Sequence, residues 1–292
     1  MTNKIEPSEL IINPDGSIFH LHLKPGQIAA DIILVGDPDR VELIASFLDE
    51  IEFQAQNREF VTVTGYYKGK RISAVSTGIG TDNIDIVVNE LDALVNIDLT
   101  TREIKTEKTS LNIIRIGTSG ALQGDIPIDA FLASSKAIGF DGLMNFYARR
   151  EEFADVNFEN SFKTYADWNP LLASPYVVNC DIDLYNKICD NEFISGITIS
   201  APGFYGPQGR ELRLKIIDQH INDKIESFRC GDLKITNYEM ECSAIYGLSK
   251  LLGHRALTVC IIIANRINRN ASTDYKPVMV RLIKKILEKL AQ

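Results

Sequence analysis

A chain of 292 residues with 45% hydrophobic and 24% charged side chains is long enough to bury a substantial core and too apolar to be disordered. Its formal net charge of −8 argues against nucleic acid or an anionic membrane surface as the main partner, so any anion site must be built locally from a few placed arginines. The polar, Pro-containing N-terminus has no signal-peptide core and the apolar run at 256–264 is far too short to span a bilayer, which makes the cytoplasm the expected location.

In chain order, Ile32 to Val35 predicts a short strand. Gly36-Asp37-Pro38-Asp39-Arg40 then opens a helix to about Leu48, with Asp37 as N-cap and Pro38 at the first helical position. Arg40 in a first turn opposes the helix dipole unless something negative sits there, so the segment is either an ordinary capped helix or an anion cradle. Phe60 to Tyr66 and Ile72 to Ser76 predict a hairpin across Lys68-Gly69-Lys70, preceded by Arg58. After Ser76-Thr77-Gly78-Ile79-Gly80, a helix capped by Thr81 or Asp82 carries Ile84, Val87, Val88, Leu91, Leu94 and Val95 on one face. Asn83 occupies the position of the third glycine of a GxGxxG dinucleotide fingerprint, which counts against that reading. Residues 96–110 are polar and Thr-rich and predict a surface insertion.

Leu111 to Gly117 predicts a buried strand interrupted by Arg115, a side chain that cannot shed its proton and so needs an anion, from the protein or from a ligand. The following Gly117-Thr118-Ser119-Gly120 suits a turn that brings backbone N–H groups and small hydroxyls to such an anion. Phe131 to Ile138 is a further strand, Asp141 to Pro175 is aromatic and without clear period, and Gly196 to Ser200 is a strand leading into a Gly/Pro-rich loop. That loop holds Phe204, Tyr205, Gln208 and Arg210: aromatics that can stack on a planar base or plug the core, with an amide and a guanidinium that can read a polar edge. Thr236 to Glu241 precedes a helix to about Leu252, and its acids Glu239 and Glu241 either decorate a helix N-terminus or face a sugar cis-diol. Arg255 to Ala264 is a last buried strand ending at Asn265-Arg266, and a helix over about 274–290 buries Leu282, Ile283, Ile286, Leu287 and Leu290. Strands and helices alternate, predicting a single three-layer α/β/α domain over residues 1–292 with a central mixed sheet and its candidate loops at strand carboxyl ends. Five widely spaced cysteines without CxxC, and four histidines without HExxH, suggest neither a disulfide framework nor a metal site.

The motifs GDPDR (36–40), NREF (57–60), STGIG (76–80), RIGTSGA (115–121), FYGPQGR (204–210), NYEME (237–241) and ANR (264–266), in this order, resemble the uridine branch of the nucleoside phosphorylase superfamily. By position, the resemblance implies phosphate binding by Gly36, Arg40, Arg115 and Thr118, with Arg58 contributed by a neighbouring subunit. It implies ribose binding by Glu239, Met240 and Glu241, with His20 of the neighbour at the 5′ hydroxyl, and a uracil pocket of Phe204, Gln208 and Arg210. Two departures stand out: Gly206-Pro207-Gln208-Gly209-Arg210 replaces a commoner Pro-Gly-Gln-Glu-Arg order, so the base loop is expected to take another path, and Asn83 stands where some relatives place a serine at an interface cation site.

The implied reaction is reversible phosphorolysis of uridine to uracil and ribose 1-phosphate, with Arg210, Gln208 and Glu241 as its catalytic residues. It requires no cofactor or metal, inorganic phosphate being a co-substrate, and shared sites imply a homo-oligomer, either a dimer or a trimer of dimers. A purine nucleoside phosphorylase acting on inosine, guanosine or adenosine is the nearest alternative. Ala264-Asn265 in place of that branch's Ser-Asp argues against it, because an amide is no general acid at neutral pH. A nucleosidase is disfavoured by three arginines without an evident anion partner, and a non-catalytic nucleoside-binding protein by the retention of all of them.

Overall fold

A computed structural model describes residues 4–292. The strands in chain order are β1 (Asp31–Val35), β2 (Glu50–Asn57), β3 (Phe60–Tyr67), β4 (Lys70–Ser76), β5 (Ile97–Asp98), β6 (Glu103–Ile104) and β7 (Asn112–Ala121). They continue with β8 (Phe131–Gly139), β9 (Tyr176–Asn179), β10 (Phe193–Ser200), β11 (Arg229–Cys230), β12 (Leu233–Glu239), β13 (Arg255–Asn265) and β14 (Asn270–Ala271). The helices are α1 (Pro38–Ala45), α2 (Thr81–Asn96), α3 (Val156–Ala166), α4 (Ile182–Ile188), α5 (Ile221–Ser227), α6 (Cys242–Leu252) and α7 (Lys276–Ala291).

Twelve strands form one mixed sheet, ordered β11-β12-β10-β8-β13-β7-β1-β4-β3-β2, with β9 and β14 paired at β8 and β13. Apolar residues of α2 and α6 cover one face together with Ile18, Leu21 and Leu23 of the N-terminal arm, and those of α1, α4 and α7 cover the other. This is the expected three-layer arrangement, with one addition. The sheet curls until β12 also pairs with β7, Asn237 against Ala121 and Tyr238 against Gly120, closing a ring of β7, β13, β8, β10 and β12. The closure lays the NYEME run directly beside RIGTSGA.

Several expectations need correction. The strand holding Arg115 does not stop at Gly117; Thr118 to Ala121 continue it, with β13 on one side and β12 on the other, so no N–H-rich turn forms there. Helix α2 has Gly80 as its N-cap at φ 101°, not Thr81 or Asp82, so the capping residue has no side chain of its own to cap it. The apparently patternless 141–175 stretch contains α3, whose period was hidden by its polar neighbours, with Phe158 and Phe162 packed on Phe228. The hairpin is three-stranded, since β2 pairs with β3; β2 is exposed at most positions and so lacked a hydrophobic signal. Residues 96–110 form a small ribbon, β5 with β6, on which the N-terminal arm docks through Lys4 opposite Glu103 and Ile5 N–H to Arg102 O.

Close packing fixes the end of β8, where Gly139 pairs with Tyr176 and a Cβ built on it would lie 2.2 Å from the Tyr176 ring. Gly139→Ala is therefore expected to cost about 1–3 kcal/mol, read as a lower urea midpoint at unchanged m-value.

Candidate active site

The site grows around Arg115 on β7, 6% exposed and facing Glu239 (4%) and Glu241 (2%). Its Nη2 donates to Glu241 Oε2, and its Nη1 lies 3.7 Å from Glu239 Oε2. Burial alone would lower the guanidinium's pKa, but the two carboxylates outweigh it and hold the group above its ordinary value. The expected anion partner of Arg115 is thus first of all the protein itself, which corrects the view of three arginines without one.

The two acids are held differently. Glu239 accepts from Ser200 Oγ at 2.6 Å and from the N–H groups of Glu241 and Cys242 at 2.9–3.0 Å, so its acceptor capacity is largely used within the chain. Glu241, at the N-cap of α6, accepts Gly80 N–H at 2.8 Å on one oxygen and Arg115 on the other. An ionised carboxylate offers about four lone-pair positions, so Glu241 keeps room for two further donors. Burial, with the Glu241 charge beside it, raises the Glu239 pKa despite the opposing pull of Arg115.

Arg40 projects from α1, donating Nη1 to Ile116 O at 3.2 Å, and its pKa is lowered first by burial and then by the charge of Arg115. Asp37 caps α1 as expected, accepting Asp39 N–H at 3.1 Å. Gly36 brings the β1 end against the β4 end: Thr77 N–H donates to Val35 O at 2.8 Å, and a Cβ on Gly36 would sit 3.3 Å from Gly78 O. Strand alternation places Gly117 and Ser119 on the Arg115 face of β7 and Thr118 on the other. The buried Ser119 hydroxyl has no partner among the described residues. Half-buried Met240 lies between the two acids.

His20 and Arg58 share a different edge. Arg58 occupies the tip between β2 and β3 at φ 55°, exposed to solvent, while Asn57 Nδ2 donates to His20 O at 2.7 Å. Neither residue hydrogen-bonds to Arg40, Arg115, Glu239 or Glu241 of the same chain. Asn83 Nδ2 reaches Glu59 Oε1 at 3.3 Å.

In the base loop, Gly206–Gln208 forms a 3-10 turn and Gly209 follows at φ 68°, where any Cβ would also strike the Asn222 amide at 2.2 Å. Arg210 donates to Phe204 O at 2.6 Å and to Gln208 Oε1, and its guanidinium lies 3.9 Å from the Phe204 ring centroid. Phe204, expected to stack on a base, thus already stacks on Arg210. Gln208 is buried, and Arg266, just past the end of β13, braces it by donating to Gln208 O and, at 3.3 Å, to Gly209 O.

With this geometry in place, comparison with known proteins is decisive. Residues 31–291 match the family model described as the phosphorylase superfamily. The chain belongs to that superfamily. A uridine phosphorylase of Thermococcus kodakarensis is 32% identical over 267 residues, covering 91% of this chain and 84% of the relative. A uridine phosphorylase of Haemophilus influenzae is also 32% identical, covering 85% and 86%, and a DeoD-type purine nucleoside phosphorylase of Listeria welshimeri is 31% identical, covering 83% and 85%. Among solved structures, a Trypanosoma brucei nucleoside phosphorylase described as showing uridine phosphorylase activity superposes with a TM-score of 0.87 at 29% identity, covering 96% of this chain and 99% of the other.

Within this superfamily member, sequence reasoning missed the contribution of Arg266, whose ANR motif was noted without a role, and the hydroxyls of Tyr238 and Ser119. Tyr238 is buried with its hydroxyl unpartnered among the described residues; burial raises its pKa and the nearby Arg266 and Arg210 pull it back. The alternation of β12 could have flagged Tyr238 and Asn237 as lying on opposite faces, but not which face meets the base loop.

Because its folded pKa is raised, Glu239 contributes stability that is complete below its unfolded value and is lost as pH rises through the folded value. The urea midpoint is expected to fall between about pH 5 and pH 8, and Glu239→Gln to flatten that slope. Removing the cation is more severe: Arg115→Met leaves two buried carboxylates without a counter-charge and is expected to cost about 3–5 kcal/mol at pH 8, partly recovered by adding Glu241→Gln.

Proposed function

We propose that this protein catalyses reversible phosphorolysis of uridine to uracil and ribose 1-phosphate, a pentosyltransferase reaction. The observation that carries the reading is the convergence of Arg115, Arg40 and the Glu239–Glu241 pair beside a base loop bearing Gln208, Arg210 and Arg266. The names of the uridine phosphorylase relatives, from two distant organisms, support the same branch.

The chemistry follows from these groups. The Arg115 charge, after burial, lowers the Arg40 pKa, so the two guanidiniums favour an anion between them, and phosphate there relieves their repulsion. Gly36 borders this subsite, and Arg58 of a neighbouring subunit completes it. Glu241 uses its two remaining acceptor positions for the ribose 2′ and 3′ hydroxyls, while Glu239 holds the Glu241 and Cys242 backbone and Met240 lines the sugar. The same Arg115 thus ties the sugar-binding acid to the nucleophile site. As C1′–N1 lengthens, the ribose gains cationic character, which the incoming phosphate offsets, and uracil gains negative charge. Arg210 and the Gln208 amide, braced by Arg266, hold that charge on the base carbonyls as it develops, so they act where the transition state differs from the ground state.

Asn265 counts against a purine-type mechanism. Its Nδ2 donates to Gln123 O and Ile126 O at 2.9 and 2.8 Å, and its Oδ1 accepts from Ile267 and Asn268 N–H at 3.0 Å. It is consumed in holding a turn and has no proton to give a base nitrogen. Catalysis on this reading needs no metal or cofactor beyond phosphate as co-substrate. The working form is a cytoplasmic homo-oligomer, a dimer or a trimer of dimers, in which His20 and Arg58 serve the neighbour's site.

Base release from uridine, thymidine, deoxyuridine and inosine, each with and without phosphate, tests the proposal. Phosphate-dependent turnover of uridine exceeding that of inosine is expected; faster inosine phosphorolysis, or base release undiminished without phosphate, overturns it. Arg40→Ala is expected to raise the phosphate KM by about 10- to 100-fold, the loss of one charge-assisted contact. Arg210→Leu is expected to lower kcat by about 10²- to 10³-fold, as when an oxyanion donor is removed.

A further inference from the structure

Helix α2 carries a buried acid that the site described so far does not use. Glu90 lies nine residues beyond the start of the helix, on the face covered by the N-terminal arm, and its carboxylate is filled entirely by that arm. It accepts His20 N–H at 3.0 and 3.1 Å on its two oxygens, Leu21 N–H at 2.9 Å, and His20 Nδ1 at 2.6 Å. The imidazole is further confined by Phe19, edge-on at 4.8 Å between centroids, and by Phe60 at 6.4 Å. His20 O is pinned by Asn57 Nδ2, next to the Arg58 tip.

An ionised carboxylate only accepts hydrogen bonds, so the nitrogen facing Glu90 must carry the ring proton. The neutral ring is then the Nδ1–H tautomer, and Nε2, which has no hydrogen-bond partner among the described residues, presents a lone pair outward. We propose that Glu90 is a positioning residue that fixes His20 as a hydrogen-bond acceptor, selecting nucleosides with a donor, the 5′ hydroxyl, in the neighbouring subunit's site. The inference rests on the role given to His20 above and adds the source of its polarity. A ring free to change tautomer would present N–H as readily as a lone pair and would discriminate less between a 5′ hydroxyl and its absence. Because Glu90 also holds the His20 and Leu21 backbone, the same contact sets the height of the arm above α2.

The test compares kcat/KM for uridine and 5′-deoxyuridine, with saturating phosphate, in the wild type, His20→Ala, Glu90→Gln and Glu90→Asp. Alongside it, ¹⁵N-histidine NMR reads the His20 tautomer, assigned by the signal lost in His20→Ala. Glu90→Gln keeps an acceptor for the arm's N–H groups while its amide can also donate to Nδ1. The expected result is an Nδ1–H tautomer in the wild type, a mixed tautomer in Glu90→Gln, and a preference for uridine that falls about 2- to 10-fold in Glu90→Gln and at least as far in His20→Ala, the scale of one neutral hydrogen bond. An Nε2–H tautomer, or a doubly protonated ring, at His20 in the wild type overturns the inference. A preference lost in His20→Ala but intact in both Glu90 variants overturns the role of Glu90 and leaves that of His20 standing. A preference unchanged in His20→Ala overturns both. Equal losses on the two substrates in the Glu90 variants mark a purely structural contact and also overturn it.

Discussion

A guanidinium buried in the middle of a sheet has to be neutralised within reach, and most of the arrangement around Arg115 follows from that requirement. The counter-charges come from the end of β12, a strand distant in sequence that meets β7 only because the sheet curls and closes through Tyr238 and Gly120. Two acids against one base leave the cluster negative by itself, and Arg40, held nearby through Ile116 O, offsets that charge. On the proposed function, stability and ligand affinity are set by the same few charges, so substitutions at Arg115 act on both.

Helix α2 links the parts of the site. Its first free N–H group, at Gly80, meets Glu241 and orients the carboxylate proposed to hold the sugar, while Glu90, some ten residues further and about 15 Å along the axis, meets the arm that carries His20. One rigid element therefore positions a group for its own pocket at one end and, on the proposed assembly, a group for the neighbour's pocket toward the other. The small β5–β6 ribbon, far from any chemistry, serves this arrangement by anchoring the start of the same arm at Lys4 and Ile5.

The base loop is rigidified from outside itself. Arg266, just past β13, and Asn222 from α5 both bind its backbone carbonyls, and Gly209 adopts a left-handed conformation that a side chain would strain and sterically block. The unusual Gly-Pro-Gln-Gly-Arg order is thus matched to its neighbours: Pro207 sits in the 3-10 turn and Gly209 ends it. Arg210 and Gln208 emerge bonded to each other, an arrangement that fixes donors in advance of the charge they would meet.

What the sequence by itself determined was local. The apolar runs at 32–35, 111–116 and 255–264, the Asp37-Pro38 cap and the amphipathic faces of α2 and α7 follow from periodicity and capping chemistry, which neighbours in the chain suffice to specify. It also exposed Arg115 as a residue demanding an anion, and the succession of motifs placed the chain in its superfamily. Only the tertiary structure decided which anion that was, because the carboxylates of Glu239 and Glu241 lie more than 120 residues away and reach Arg115 through a ring closure that no local pattern encodes. The same holds for the Gly80 cap, whose partner is Glu241, for Arg266 behind the base loop, and for Glu90, which in sequence is one more polar position on a helix and in space is the group to which His20 is bonded. Side-chain charges and donors find their partners by long-range packing, and their meaning is fixed only when those partners are in place.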